Sequence, residues 1–485
     1  MRLLLKFTEI VSIGLTFLLM PAISQAQTFN IADGDVAGLA TVIQNANNNC
    51  AASTTINLAP GGTYTLTSVA EIPSEYNAPG PVGLPVIRTS VTINGNGATI
   101  QRSTVAGTPD FVLLGVSGRT WSGAPSCYAY PKLTLNQIIL TGGTLGGLHL
   151  NSGDAVVQGS TITQNTGVGG IGNACGDLTL INSTVSYNTT GNAFGGGGIF
   201  LWGFSCAADK PTADISFSTI FENSNNGWGR GNAIGDAYIP SGSVRIKNSI
   251  LASPSHPTEA VCNNANGILV SLGHNILGNV PQLFNPGDSC GTALIATDIV
   301  NPDPLLGPTA NNGGLTPTDA PLPNSPAINA VPAAYCSDVS GSAVTTDQRG
   351  VSRPQGPACD IGSVEVIQGP KYHVCLLYDP AKPAQNGSTI PVKFYLCDGN
   401  GNDLSSPSIT VHAASVTQTA TSLSAPAQAS GNANSGNDFR FDPTLGTTGG
   451  YIFNLSTKGL GTGTYSLNFS VTGDSSPYAV PFQVR

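Results

Sequence analysis

Gly159-Ser160-Thr161-Ile162, Asn182-Ser183-Thr184-Val185 and Phe217-Ser218-Thr219-Ile220 are one tetrad written three times. Looser copies stand at Lys247-Asn248-Ser249-Ile250 and Asn136-Gln137-Ile138-Ile139. The closing apolar positions, Ile139, Ile162, Val185, Ile220 and Ile250, recur at intervals of 23, 23, 35 and 30 along the chain. A second phase follows beyond a Gly-rich stretch: Leu148, Ile171, Ile199 and Ile234 stand at offsets of 9, 9, 14 and 14 from the first four. A third is polar: Asn165, Asn188 and Asn223 each stand three places after Ile162, Val185 and Ile220. Self-similarity at a period of ~20–50 residues marks solenoids, propellers and arrays. The blocks are short, β-rich and separated by Gly and Asn, which argues for parallel strands wound into a coil rather than for helical repeats. Turns of such a coil lie ~4.8 Å apart, so the three asparagines stack as a structural ladder whose amides can hydrogen-bond up and down. Asn also tolerates the left-handed conformation of a tight turn. Residues 50–280 are expected to make roughly seven to ten coils.

Charged residues make up 9% of the 485, against ~25% in ordinary soluble domains. The apolar fraction, 40%, is too high for disorder. Net charge is −9, with 18 Lys plus Arg and no basic run, which sets nucleic acid aside as a partner. Residues 1–26 have the pattern of a secretory signal: Arg2 and Lys6, an apolar run from Ile10 to Met20, and Ser24-Gln25-Ala26 for cleavage before Gln27. No later stretch approaches ~18 apolar residues, so no membrane span is expected. Ten cysteines in an exported chain favour disulfides, and none forms a Cys-x-x-Cys pair. Cys262–Cys290, Cys336–Cys359 and Cys375–Cys397 are expected local pairs, although sequence does not fix the connectivity.

Leu39, Val42, Ile43 and Ala46 share one face of a helix within residues 28–47, with Asp33 or Asp35 as its N-cap. Such a helix would cover the open apolar end of the solenoid. Residues 301–366 turn to dense Pro and Asn-Gly turns, and 367–371 form a linker. Residues 372–485 hold six or seven short alternating strands, the pattern of an immunoglobulin-like β-sandwich. Asp398–Asp403 reads as a hairpin turn rather than a calcium loop, because Ile409 stands where the twelfth-position Glu is needed. The expected domains are 27–300 for the capped solenoid, 301–368 for its C-terminal part and 369–485 for the sandwich.

Three parts resemble known families. Residues 133–280 resemble the right-handed parallel β-helix repeats of the pectin-lyase-like superfamily. Residues 271–279 (SLGHNILGN), 303–314 (DPLLGPTANNGG), 325–330 (SPAINA) and 346–360 (TDQRGVSRPQGPACD), followed by Ile361-Gly362, resemble the choice-of-anchor Q domain of bacterial surface proteins. Residues 388–397 (STIPVKFYLC), with Pro391–Phe394 and the strands at Tyr451–Phe453 and Thr464–Phe469, resemble the domain named after the Pro-x-Lys-Phe motif. The resemblance implies an exported bacterial protein, secreted or held at the cell surface. It implies no reaction.

Hydrolases and lyases on β-helices need carboxylates gathered on one exposed sheet. Asp154 and Asp177 are one short repeat apart, each standing eight places before its core residue, Ile162 or Val185. They should therefore stack in adjacent coils. Like charges ~5 Å apart repel, which hints at a cation such as calcium between them. The alternative is two solvated turn residues. The five histidines form no spaced metal pair. Period-two alternation places Phe200 and Trp202 outward if Ile199 and Leu201 point inward, with His149 in the equivalent place and Trp228 in a nearby loop. Flat rings bury the apolar faces of sugars. The alternative is that residues 203–212 fold over them. The expectation is a non-catalytic protein of adhesion, or of binding to polysaccharide or another cell-surface component. A polysaccharide lyase or glycoside hydrolase is the alternative, and a passive spacer the third. Ligand and oligomeric state stay open.

Overall fold

The computed structural model describes residues 26–485 apart from 50–52, 75–79, 119–130, 192–194, 204–205, 207–210, 227–229, 238–242, 258, 264–268, 281–293 and 368. Inward Val, Ile and Leu alternate with outward Thr, Asn and charged residues, and this builds short strands. The strands visit three parallel sheets in turn. The first sheet has nine strands in chain order: Gln27–Ile31, Thr54–Leu58, Val91–Asn94, Lys132–Asn136, Asp154–Gln158, Asp177–Ile181, Thr212–Ser216, Ser243–Lys247 and Leu269–Ser271. The second has nine, from Thr63–Leu66 to Ile299–Val300. The third has six, from Val112–Ser117 to Ala260–Asn263. Apart from the first pair, which is joined through the helix, and the last pair of the second sheet, each strand pairs with one reached only after the chain has visited another sheet, an all-β arrangement consistent with a β-helix. One apolar core runs through its interior and includes Ile56, Ile93, Leu135, Ile162, Ile171 and Ile199.

The tetrad gives each residue a separate place. Its serine sits at the corner between the first and second sheets. Ser183 Oγ accepts the N–H of Ser160 at 3.2 Å, and Ser249 Oγ accepts that of Ser218 at 3.2 Å. Asn275 and Asp298 continue the column, each taking the preceding N–H at 3.0 Å. Its threonine faces outward from the second sheet, and its last residue fills the core. Register corrects the two loose copies. Ile162 pairs with Leu140 and Ile220 with Leu251, so Ile139 and Ile250 stand opposite Thr161 and Thr219 in the outward column. The cause is the corner. Gln137, Gly159, Asn182, Phe217 and Asn248 all have positive φ, and the core residue always follows three places later.

At the corner between the second and third sheets, Asn165 Nδ2 donates to Asn188 Oδ1 at 3.0 Å, and Asn188 Nδ2 to Asn223 Oδ1 at 3.0 Å. All three are fully buried. The same oxygens accept backbone N–H groups of the rung below, at 3.0 and 2.9 Å.

Helix Val36–Asn49 buries Leu39, Val42, Ile43 and Ala46 against the first coil. Asp35 caps it, accepting the Gly38 N–H at 2.8 Å. Asp33 instead accepts the Thr63 N–H at 2.7 Å, tying the helix entry to the second sheet.

Residues 372–485 form two four-stranded antiparallel sheets. Their central strands are Thr389–Cys397 with Gly450–Ser456, and Val411–Gln418 with Gly463–Val471. Phe394, Phe439, Phe453 and Phe469 pack ring to ring between them. Pro391 and Lys393 lie on a central strand, where Val392 and Phe394 point into the core. Asp398 shapes its own turn, accepting the N–H groups of Asn400 and Asn402 at 2.8 Å.

Cys336–Cys359 and Cys375–Cys397 are bonded. Cys175–Cys206, a pair that spacing did not suggest, is bonded as well. Cys262 is disulfide-bonded, and Cys290 lies outside the described residues. Among the described residues no helix is long and apolar enough to cross a membrane.

Asn188→Ala would leave the Asn165 N–H and the Ile162 carbonyl without their partners. Each buried orphan costs about 1–3 kcal/mol. Urea unfolding should show a loss of about 2–4 kcal/mol; a loss below about 0.5 kcal/mol would show that the ladder is ornamental.

Candidate binding site

On the first four rungs the outer face of the first sheet repeats one triplet: Thr28-Phe29-Asn30, Thr55-Ile56-Asn57, Thr92-Ile93-Asn94 and Thr134-Leu135-Asn136. The four threonines are register partners, and so are the four asparagines. Asn57 Nδ2 donates to Asn30 Oδ1 at 3.0 Å, Asn94 to Asn57 at 2.9 Å and Asn136 to Asn94 at 2.9 Å. Each amide is therefore held in one orientation; Asn30 is exposed, and Asn57, Asn94 and Asn136 are partly buried. The asparagine column, continued by Gln158 opposite Asn136, lines a groove of about 1080 Å³ together with Asn182 and residues of the segment 346–350. Because the column steps from strand to strand, the groove runs across the strands, along the coil axis. The triplet was in the sequence, but loops of unequal length between its copies hid it.

From the fourth rung onward the same face carries charge. Lys132, Asp154, Asp177, Asp214 and Arg245 line a shallow depression of about 330 Å³. Ala155 pairs with Leu178, which sets Asp154 beside Asp177 on adjacent strands. Asp154 accepts the Asp177 N–H at 3.1 Å, and Asp177 accepts the Thr212 hydroxyl at 2.6 Å. Their contacts are thus with internal donors, and among the described residues no group of three His, Cys, Asp or Glu is placed to hold a metal. Asp214 belongs to this face too, because it pairs with Thr179, two places along from Asp177. Arg245 grips it with two hydrogen bonds, Nε to Oδ1 at 2.7 Å and Nη2 to Oδ2.

The predicted aromatic platform is a packed cluster on the third sheet. Leu148, Ile171, Ile199 and Ile234 are in register. The outward column beside them reads Gly115, His149, Gly172, Phe200, Gly235. Glycines between the rings let them lie down on the sheet, so His149 is 2% and Phe200 4% exposed. Trp202 folds over Gly172, where an added Cβ would come within 3.1 Å of the indole. It stacks on Phe200 at 4.7 Å and meets His149 edge-on at 5.0 Å. Only Trp202 keeps a half-exposed face. Trp228 lies outside the described residues.

The motifs within 303–366 form a strap over the outward threonines of the second sheet. Thr184 Oγ1 donates to Gln348 Oε1 at 2.7 Å, and Gln348 Nε2 donates to Thr161 Oγ1 at 3.0 Å. The Ser363 N–H reaches Thr219 Oγ1 at 3.0 Å. Ala327, Val331 and Ile361 pack against Phe217, Ile250 and Ile276. Arg353 is fully buried, paired with Glu365 at 2.8 Å and lying 4.4 Å above the Phe217 ring. Asp347 accepts the N–H groups of Arg349, Val351 and Glu365 at 2.8–2.9 Å. These charged residues hold the strap, and the strap supplies the groove wall. No family model matches the chain, and no curated protein or solved structure matches it.

Asp319, a strap residue, is buried and accepts the hydroxyl of Thr309, which meets Ser186 of the second sheet at 3.0 Å. Burial pushes its carboxyl up to about 7, and Glu222 adds to the rise. The folded state therefore holds this proton when the unfolded chain has lost it, so stability falls as pH rises from about 4 to about 7. Asp319→Asn should raise the thermal midpoint at pH 8 and leave it nearly unchanged at pH 4. An equal effect at both pH values would overturn the assignment.

Proposed function

We propose that this chain is an exported bacterial surface or matrix protein that binds polysaccharide, or another cell-surface polymer, without processing it. In this reading residues 27–300 are a right-handed β-helix of the pectin-lyase-like kind. Residues 301–368 are its choice-of-anchor Q-like strap, and 369–485 are an immunoglobulin-like sandwich of the Pro-x-Lys-Phe type. The observation that carries the binding role is the open groove along the coil axis, lined by fixed amides. Amide donors and acceptors suit the hydroxyls of a sugar chain. Three disulfides among the described residues and the low charge agree with an oxidising, extracellular setting.

One observation favours a second reading. Asp154, Asp177, Asp214, Lys132 and Arg245 gather on one sheet face, and lyase or hydrolase chemistry draws on such groups. The pairing of Asp214 with Arg245 and the donors held by Asp154 and Asp177 weigh against their acting as free acids or bases.

The two readings part in a chain-length assay. The mature protein is incubated with plant and microbial polysaccharides, with and without calcium, and polymer size is followed by gel filtration. Co-elution with polymer of unchanged length is the expected result. Shortened polymer replaces binding with catalysis, and no effect on any polymer leaves the spacer.

A further inference from the structure

The first half of the strap, residues 303–322, is held mainly by polar contacts. It folds on itself as a hairpin, in which Ala310 and Thr318 exchange backbone hydrogen bonds at 3.1 and 3.0 Å. The side it lays on the coil is polar, with Thr316, Thr318 and Asp319 buried. Leu315 and Leu322 stay in solvent, 52% and 46% exposed. Hydroxyls make the seam. Thr309 meets Ser186 at 3.0 Å, Thr316 Oγ1 donates to the Gly159 carbonyl at 2.8 Å, and Thr161 Oγ1 donates to the Pro317 carbonyl at 2.6 Å. Such bonds replace bonds to water, so each adds little net hold. The Cys336–Cys359 bridge lies beyond this half of the strap and does not tie it down.

One carboxyl sits in that seam. Asp319 is 1% exposed. One of its oxygens accepts the Thr309 hydroxyl, and among the described residues the other, Oδ2, has no hydrogen-bond partner. The coil groups near enough to act on it are Glu222 and Tyr187, which stand at two left-handed corners. His256 lies 3.9 Å from Glu222. Within the hairpin the other charged residue is Asp303, which accepts the Leu305 N–H at 2.9 Å. Arg349 touches the hairpin at the Asn312 carbonyl, at 3.0 Å, but is paired with Asp347. An ionised Asp319 is therefore a buried charge with no cation paired to it and a second carboxylate nearby. A carboxyl so placed keeps its proton or moves into water.

We propose that residues 303–322 are a proton-operated latch, closed on the second sheet while Asp319 is protonated and lifted when Asp319 ionises and carries its charge into water. Release also strips Gln348 of its bonds to Thr316 and Pro317, at 2.9 and 3.2 Å, and Arg349 of its bond to Asn312. The 346–350 wall loosens with the hairpin. The latch stands whether or not the groove holds a polymer. In the closed form burial keeps the carboxyl at about 7, with the Thr309 and Ser186 hydroxyls pulling the other way, whereas an exposed aspartate titrates near ~3.9. The open form binds the proton more weakly. Opening therefore becomes about tenfold easier per pH unit between about 4 and about 7, and then levels off.

The test is hydrogen–deuterium exchange of the full mature chain, read by mass spectrometry from pH 5 to pH 8 and corrected for the intrinsic exchange rate. The opening constant over 303–322 should rise roughly tenfold or more, with a smaller rise over 346–350. Strands Asp154–Gln158 and Asp177–Ile181 should stay protected throughout. Asp319→Asn should hold the opening constant of the hairpin within about threefold across the range. The strap's other buried carboxyls, Asp347, Asp360 and Glu365, belong to the network around Arg353 and are left in place by this variant. Glu222→Gln should bring the levelling-off to lower pH, and it tests the latch independently of any change at 319. A rise of the same size in Asp319→Asn overturns the latch, as does opening of 303–322 only together with the first-sheet strands. A levelling-off unmoved in Glu222→Gln overturns the part given to Glu222, and unchanged exchange over 346–350 overturns the link to the wall.

Discussion

At each corner of the coil the backbone turns through a left-handed residue, and N–H groups there point away from the strand ladders. A buried N–H without a partner costs about 1–3 kcal/mol, and the corners recur on every turn. The chain meets this constraint with side chains borrowed from the next rung. Serines 183, 218 and 249 do so at one corner, and Asn165, Asn188 and Asn223 at another. Strand register, and with it the inward and outward assignment of every residue, depends on these corners. A one-residue slip would turn the core residues to solvent.

Correct register has consequences at a distance. It aligns Thr161, Thr184 and Thr219 on the outside of the second sheet, and Gln348 and Ser363 find them there. It brings Phe217 and Ile250 under the strap, where Arg353 and Ile361 cover them. The buried Arg353–Glu365 pair is supported by further bonds, including Arg353 to the Asp360 and Gly362 carbonyls at 2.9 and 2.7 Å. Breaking a buried pair by removing one partner typically costs about 3–5 kcal/mol, so such a network holds the strap in one position.

The same register sorts the exposed face of the first sheet. Four rungs of threonine and asparagine, the last of which also carries Lys132, precede rungs of aspartate and arginine on the same sheet. The strap edge at 346–350 turns the neutral half into a groove. Binding and any chemistry thus draw on adjacent parts of one surface. The aromatic residues belong to a different sheet, where glycine neighbours let them fold down into packing.

The tetrads and the Asn series were enough to specify parallel strands in a coil, because buried ladders and a repeated core demand the same residue type at the same phase. The helix face at Leu39, Val42, Ile43 and Ala46, the stacking of Asp154 on Asp177 and two of the cysteine pairs were legible for the same local reasons. The phase of the loose copies was not, since each puts an isoleucine, Ile139 or Ile250, in the outward place that threonine holds in the true copies, ahead of the core residues Leu140 and Leu251. Nor was the burial of His149 and Phe200, which depends on glycines one rung away and so a full circuit distant in sequence. The Cys175–Cys206 bond joins neighbours created by the winding. The groove needed the tertiary structure most of all. Its floor comes from rungs separated by loops of unequal length, and its wall from a segment that follows only after the whole coil has been wound. Period and composition report what each strand must be; only the closed coil decides which strands lie side by side.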